Sequence, residues 1–314
     1  MTLLKKVSDC PGQLEISAHC VLEVRQLQGL SQLTRAYAEP PLGIRSPKPI
    51  AGVAQVYLTA LGGGVLPQDR FEIEVKAHPH ARLFLGSQSA TRIFKTPEGL
   101  CRQNLRGEVG ADALVVHMPD PVLPYAQARF EQSQQWTLQN GSRLALGEVL
   151  QAGRLSRGEV FAFSRFQSNW RIENGYGRPL LLDRISLDPC RQDVSAPGGF
   201  ALPDTSDGVS GDGGLFTQWA SYAFCGRGWQ GLEAHLRHAL RALPLWPWGV
   251  AGPNEVSRPL DRKVLAALWR KDEEVLLLRA MAVDRQALTT VLEPLQQAMA
   301  REDALGFSPW ARKF

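Results

Sequence analysis

The stretch Gly62-Gly63-Gly64-Val65-Leu66-Pro67-Gln68-Asp69-Arg70-Phe71-Glu72-Ile73-Glu74-Val75 decides how the rest of this chain is read. Three consecutive glycines tolerate positive φ and let other backbone approach closely. They open directly into an alternation of apolar Phe71, Ile73 and Val75 with Glu72, Glu74 and Lys76, which predicts a half-buried strand. A phosphate cradle fails on two counts. No Lys-Ser/Thr follows the glycines, and the next segment reads as strand, not as a helix whose N-terminus could hold an anion.

The same pattern recurs on both sides. Candidate strands at 53–58, 71–75, 81–85, 91–94, 113–117, 129–138, 158–166 and 180–187 follow one another with turn signals between them and no strong helical segment. Residues 14–39 suggest an opening strand, and the proline-rich 39–49 reads as an extended loop. Asn140-Gly141, flanked by 136–138 and 143–146, is the clearest hairpin signal. Glycines at 208, 211, 213 and 214 mark a flexible joint. Beyond it the period changes. Residues 229–243 carry apolar side chains at helical spacing and stop at Pro244, 264–269 and 275–283 read as strands, and Asp284 caps a helix over 285–300 that Pro294 should kink. The expected organisation is a β body over 1–200, a joint over 201–225 and an α+β part over 226–314. No fixed repeat period is visible, so solenoid, sandwich and barrel all remain compatible with the pattern.

Bulk properties narrow the function classes. The 314 residues, 44% hydrophobic and 21% charged, are ordinary for a globular chain able to bury a sizeable core. A net charge of +4 without a Lys/Arg block argues against nucleic acid. Five scattered cysteines with no CxxC argue against a zinc ribbon or a disulfide framework, and for a reducing compartment. Neither a signal-peptide pattern nor a long apolar run is present, so a cytoplasmic protein without a membrane span is expected. There is no G-x-S-x-G, H-E-x-x-H, S-x-x-K or nucleotide motif.

A series of motifs, each weak alone, runs in order downstream of the glycines. It comprises Gly86-Ser87-Gln88-Ser89-Ala90-Thr91-Arg92-Ile93-Phe94, Pro119-Asp120-Pro121-Val122-Leu123-Pro124-Tyr125, Leu146-Gly147-Glu148, Gly153-Arg154, Gly158-Glu159-Val160-Phe161 and Leu182-Asp183-Arg184-Ile185-Ser186-Leu187-Asp188-Pro189. In this order the series resembles the UreD (UreH) family of urease accessory proteins over residues 61–189, with weaker similarity in the C-terminal third. The resemblance implies a mainly β fold, a stacked solenoid-like body of many short strands with a smaller α+β C-terminal part. It also implies a non-catalytic maturation factor that works with UreF and the GTPase UreG on urease apoprotein. No permanently bound cofactor is implied, only transient Ni²⁺. Two departures are visible: Pro67-Gln68 stiffens a turn where many relatives have a small residue before Asp-Arg, and the 204–214 loop has no alignable counterpart.

Candidate site residues follow from both lines of reading. Asp69, Arg70, Glu148, Glu159, Asp183 and Arg184 are charged residues at strand starts and turns, which either line a buried cation path or brace turns as ion pairs. Gln88 and Arg92 lie in a Ser/Gln-rich stretch, suited to a wet channel or to a hydrogen-bond ladder along a strand. His78 and His80 flank Pro79 in a turn and are weak metal candidates, disfavoured by the resemblance, whose members have a Gly/Pro-type turn here. His117 reads as a core histidine, and His235 with His238 as a solvated helix face. Trp246, Trp248, Trp219, Trp229, Trp269 and Trp310 enrich the C-terminal third for an interface or a second core. Two other classes stand beside the maturation factor. One is an interaction protein of the same fold with a different client, and the other a carbohydrate-active enzyme with paired carboxylates on a β-helical scaffold.

Overall fold

The computed structural model describes residues 17–189, 216–242 and 263–312. Trp246, Trp248 and the 204–214 joint lie outside them. Two walls of strands face each other. The first holds β1 (Ser17–Leu27), β2 (Leu30–Ala38), β5 (Arg70–Ala77), β8 (Cys101–Val109), β11 (Arg129–Leu138), β13 (Arg165–Asn174) and β14 (Pro179–Leu187), in spatial order β14-β13-β11-β8-β5-β1-β2. The second holds β3 (Leu42–Arg45), β4 (Ala54–Ala60), β6 (Arg82–Ser87), β9 (Leu114–His117), β12 (Arg143–Gln151), β15 (Gln218–Cys225), β16 (Val264–Arg270) and β17 (Val275–Ala282). Its order is β16-β17-β15-β12-β9-β6-β4-β3. Short β7 (Thr91–Ile93) and β10 (Val122–Pro124) pair with each other, and β10 also reaches β12.

From β4 to β13 the chain passes from wall to wall, and the strands it lays down in each wall are parallel to their predecessors. This is a solenoid-like winding. Ala54, Leu83, Val115 and Leu144 stack in register at unequal steps, which is why no fixed period shows in the sequence. The arches between walls repeat a backbone device: His80, Asp112 and Gly141 have φ of 61°, 55° and 71°, each inside a turn closed by an N–H···O bond of 3.0 to 3.1 Å. The hairpin expected at Asn140-Gly141 is therefore corrected. The left-handed residue is there, but β11 pairs with β8 and β13, and β12 belongs to the opposite wall.

Burial explains the composition of the walls. β5 buries Phe71, Ile73, Val75 and Ala77 and turns its other side outward, so the first wall alternates. The second wall is covered twice. Leu83, Leu85, Val115, Leu144 and Leu146 face the interior, whereas Phe84, Leu114, Val116, Ala145, Tyr222 and Phe224 face α1 (Gln230–Ala242) and α2 (Arg285–Met299). Strands buried on both faces read as continuous apolar runs. Leu232, Leu236 and Leu240 of α1, and Leu288, Val291 and Leu295 of α2, complete this outer core. Asp284 caps α2 as expected, accepting the Ala287 N–H at 2.7 Å, and Pro294 lies inside it.

Other expectations shift. The 39–49 segment, read as loop, contains β3, and β8 and β10 were not anticipated. Residues 158–164 are not strand: a 3₁₀ turn at Leu155–Arg157 precedes an irregular segment that buries Phe161 and Phe163, and β13 begins only at Arg165. Residues 218–225, within the expected joint, form β15, which binds β12 on one side and β17 on the other. Among the described residues no helix is long and apolar enough to cross a membrane.

Candidate functional site

The opening glycines are a docking place for backbone. Gly62 and Gly63 have φ of 111° and 84°, and a Cβ on Gly64 would meet the Arg92 carbonyl at 2.5 Å. Val65 N–H donates to that carbonyl at 2.8 Å, and Phe94 N–H donates to Val65 O at 3.0 Å. The segment thus seats β7, and together they border a cavity of about 140 Å³. Gly63, Gly64, Gln88, Thr91 and Arg92 lie toward one side of it, and Gln103, His117, Gln132, Gln134 and Glu148 also line it.

Those last residues are polar where the strand phase demands apolar. On β11 the inward positions are Phe130, Gln132, Gln134, Trp136 and Leu138; on β12 they are Leu144, Leu146, Glu148 and Leu150; on β13 Ser168 stands between Phe166 and Trp170. Buried polar groups need partners, and Gln132, Gln134, Ser168, Glu148 and His117 find them across the interior. The Glu148 carboxylate accepts the Ser168 hydroxyl at 2.6 Å and the Gln132 amide N–H, which also reaches Ser168 Oγ at 3.3 Å. His117 Nδ1 lies 3.0 Å from Gln134 Oε1, and the Trp136 indole donates to the same oxygen at 3.2 Å.

Burial dominates the electrostatics. It pushes the Glu148 carboxyl up to about 7, against the stabilising Ser168 hydrogen bond; the negative charge of Asp183 adds to the rise, while Gln132 and Arg279 oppose it. Burial also pushes His117 down to about 4, so its imidazole is neutral at physiological pH. Asp183 on β14 forms an ion pair with Arg279 on β17, tying the closing strands of the two walls together. Glu148, Ser221 and Arg279 stand side by side in register across β12, β15 and β17. Polar groups therefore run from the cavity to the Asp183–Arg279 pair, and Leu150, Phe166, Ile185 and Trp219 close around the narrow part beyond Glu148.

Of the residues singled out in the sequence, Glu148 and Asp183 lie along this seam, and Gln88 and Arg92 border its cavity. Asp69 is elsewhere. Its carboxylate accepts Leu66 N–H at 2.8 Å and braces the Pro67-Gln68 turn, with burial raising its pKa. Arg70 opens β5, and Arg184 donates to Gln167 Oε1 at 3.1 Å. Glu159 is paired with Arg154, whose guanidinium lies 4.1 Å over the Tyr125 ring. His78 and His80 turn to different carboxylates, Glu23 at 3.1 Å and Asp112 at 3.9 Å. Among the described residues no three His, Cys, Asp or Glu side chains are gathered to hold a metal. His117, read from the sequence as a core histidine, is buried with Nδ1 on Gln134, and Gln132, Gln134, Ser168 and Arg279 are the seam residues that the sequence reading did not single out. Their signal was the period of two, which puts Gln132 and Gln134 in phase with Phe130 and Trp136.

Comparison with known proteins points one way. The family model described as UreD urease accessory protein matches residues 17–313. A urease accessory protein UreD of Cytophaga hutchinsonii is 28% identical over 297 residues, covering 94% of this chain and 97% of the relative. Those of Sorangium cellulosum and an Anaeromyxobacter species are 35% and 34% identical, over 52% and 54% of this chain and 52% and 56% of their own length.

Proposed function

We propose a nickel-handling role from one premise: this chain belongs to the UreD family of urease accessory proteins. Within urease maturation, the reading is of a non-catalytic cytoplasmic scaffold. It joins UreF and the GTPase UreG to urease apoprotein and offers Ni²⁺, the cargo, a passage through its interior. The observation that supports it is the polar seam between the walls, with Glu148 at its centre.

The chemistry suits transit better than storage. Amides and hydroxyls supply donors and acceptors without titrating. A carboxyl with a pKa of about 7 exchanges a cation against a proton near neutrality, so it holds metal without trapping it. Cys20, Cys101 and Cys225 face the same interior, and burial raises their pKa, to about 12 for Cys20 and Cys225. They stay protonated and compete poorly for metal, since the thiolate is the ligand.

The test is Glu148→Gln, which keeps size and hydrogen bonding but cannot carry charge. With the fold and the co-purified UreF–UreG assembly intact, urease activation at limiting nickel should fall by roughly tenfold or more, the scale of losing a group that supports a metal. Activation equal to wild type under those conditions would overturn the passage. Failure to co-purify with urease subunits at all would favour a different client.

A further inference from the structure

We propose that His117 is a nitrogen ligand for the travelling cation, shared with Glu148, and that this imidazole makes the route prefer Ni²⁺ to Mg²⁺. The inference rests on the passage reading above and adds its specificity.

Hydrogen bonding fixes the tautomer. An indole N–H can only donate, so the Gln134 atom it meets at 3.2 Å is the amide oxygen. That oxygen also meets His117 Nδ1 at 3.0 Å, so Nδ1 carries the proton. A neutral imidazole has a single N–H, which leaves Nε2 as a lone pair, and no described residue hydrogen-bonds to it. An imidazole whose second nitrogen is held by an oxygen acceptor is the arrangement that orients metal-ligating histidines. Here Trp136 holds the acceptor in turn, and its ring, centroid 6.1 Å from that of His117 and tilted by 46°, packs the group from one side.

The register puts a second ligand beside it. His117 on β9 is paired with Leu146 on β12, and Glu148 is the next residue of β12 on the same face. With parallel strands about 4.8 Å apart and about 6.6 Å between alternate residues, the two Cα atoms stand roughly 8 Å apart, within reach of two long side chains meeting on one ion. Both line the same cavity. Two protein ligands leave most of a coordination shell to water, which keeps the ion exchangeable.

Selectivity follows from ligand chemistry. Carboxylate, amide and hydroxyl oxygens accept Mg²⁺ readily, so a route lined by oxygen alone discriminates only weakly against the commoner ion. A neutral imidazole nitrogen favours the later first-row metals. In this reading the seam moves cations and His117 chooses among them.

The full chain is titrated with Ni²⁺ and with Mg²⁺ separately, and its nickel environment is read by X-ray absorption. Wild type should show imidazole at the metal. His117→Gln should lose that signature and weaken Ni²⁺ binding by roughly tenfold or more, leaving Mg²⁺ binding unchanged. Gln134→Met, which keeps the imidazole and removes what fixes it, should fall between the two. If His117→Gln melts like wild type and keeps the imidazole signature and affinity, His117 is not a ligand and the proposal is overturned. If His117→Gln does not fold, Gln134→Met decides: unchanged Ni²⁺ affinity overturns the proposal. Activation assays separate this from the passage reading. Glu148→Gln inactive, with His117→Gln as active as wild type under excess Mg²⁺, removes the selectivity role and leaves the passage. Glu148→Gln fully active removes the passage, and the binding data then judge the site alone.

Discussion

Glu148 and His117 are both kept neutral by burial, one by holding its proton up to about pH 7 and the other by declining one until about pH 4. Their effects on stability have opposite signs. Glu148 has a native pKa above the ordinary 4.5, so the native state binds more protons than the unfolded chain, and stability falls as pH rises from 4.5 through 7. His117 has a native pKa below the ordinary 6.5, so stability falls as pH drops from 6.5 through 4. Glu148→Gln removes only the first slope. Urea midpoints should show the variant gaining on wild type by on the order of 3 kcal/mol between pH 4.5 and 7. A difference that does not move with pH would mean that Glu148 is not held protonated. Half of this site was legible in the sequence. Glu148 stood in a motif, and Gln132 and Gln134 stood in phase with core residues. What could not be read was their meeting, because hydrogen bonds between walls depend on how the coils stack, and a single strand carries no trace of that.

At the scale of elements, the glycines that open β5 differ in what they tolerate. Nothing lies within 4 Å of a Cβ on Gly62, whereas on Gly64 it would meet backbone of β7 at 2.5 Å. Gly62→Ala should cost only its backbone strain, about 1 kcal/mol. Gly64→Ala should cost roughly 1–3 kcal/mol of overpacking and displace the strand that borders the cavity. Thermal melts of the two variants check the order, and equal losses would show that β7 does not press on Gly64. Strands with clean alternation, such as β5 and β11, were readable. β8 was not, because its inward positions include Gln103 and Gly107, and the room over Gly107 is filled by Trp136 from the next strand. The 158–166 segment misled in the opposite sense: Phe161 and Phe163 are apolar because they pack under the core as irregular chain. Asn140-Gly141 announced a left-handed turn correctly, but a turn signal does not say whether the strands it joins pair or face each other.

For the whole molecule, the division into a β body and a C-terminal part follows a change of sequence period that the packing does not follow. β15, β16 and β17 extend the second wall, and α1 and α2 cover its outer face. A chain ending before residue 216 would leave the β12 edge unpaired and Phe84, Leu114, Val116, Ala145 and Val149 uncovered. Open edges and large apolar patches drive association. Residues 1–200 expressed alone should therefore be insoluble or aggregated on size-exclusion chromatography, and co-expression of 216–314 should restore soluble material. A monomeric 1–200 fragment with a cooperative melt would show that the body stands alone. The β class was legible from strand cadence, whereas the solenoid-like winding came through family resemblance, since steps of unequal length erase the period that would have announced it.

The contacts of the seam also differ in how far they reach along the chain. Glu148 finds Gln132 and Ser168 at separations of 16 and 20 residues, and His117 finds Gln134 at 17, but Asp183 waits for Arg279 across 96. Synthesis runs in that order. A chain still on the ribosome can assemble the inner cradle early, with one flank open to water until β15 and β17 arrive. The Asp183–Arg279 closure forms only once residue 279 has been made, so an unfinished copy lacks the closed interior that the proposed passage requires.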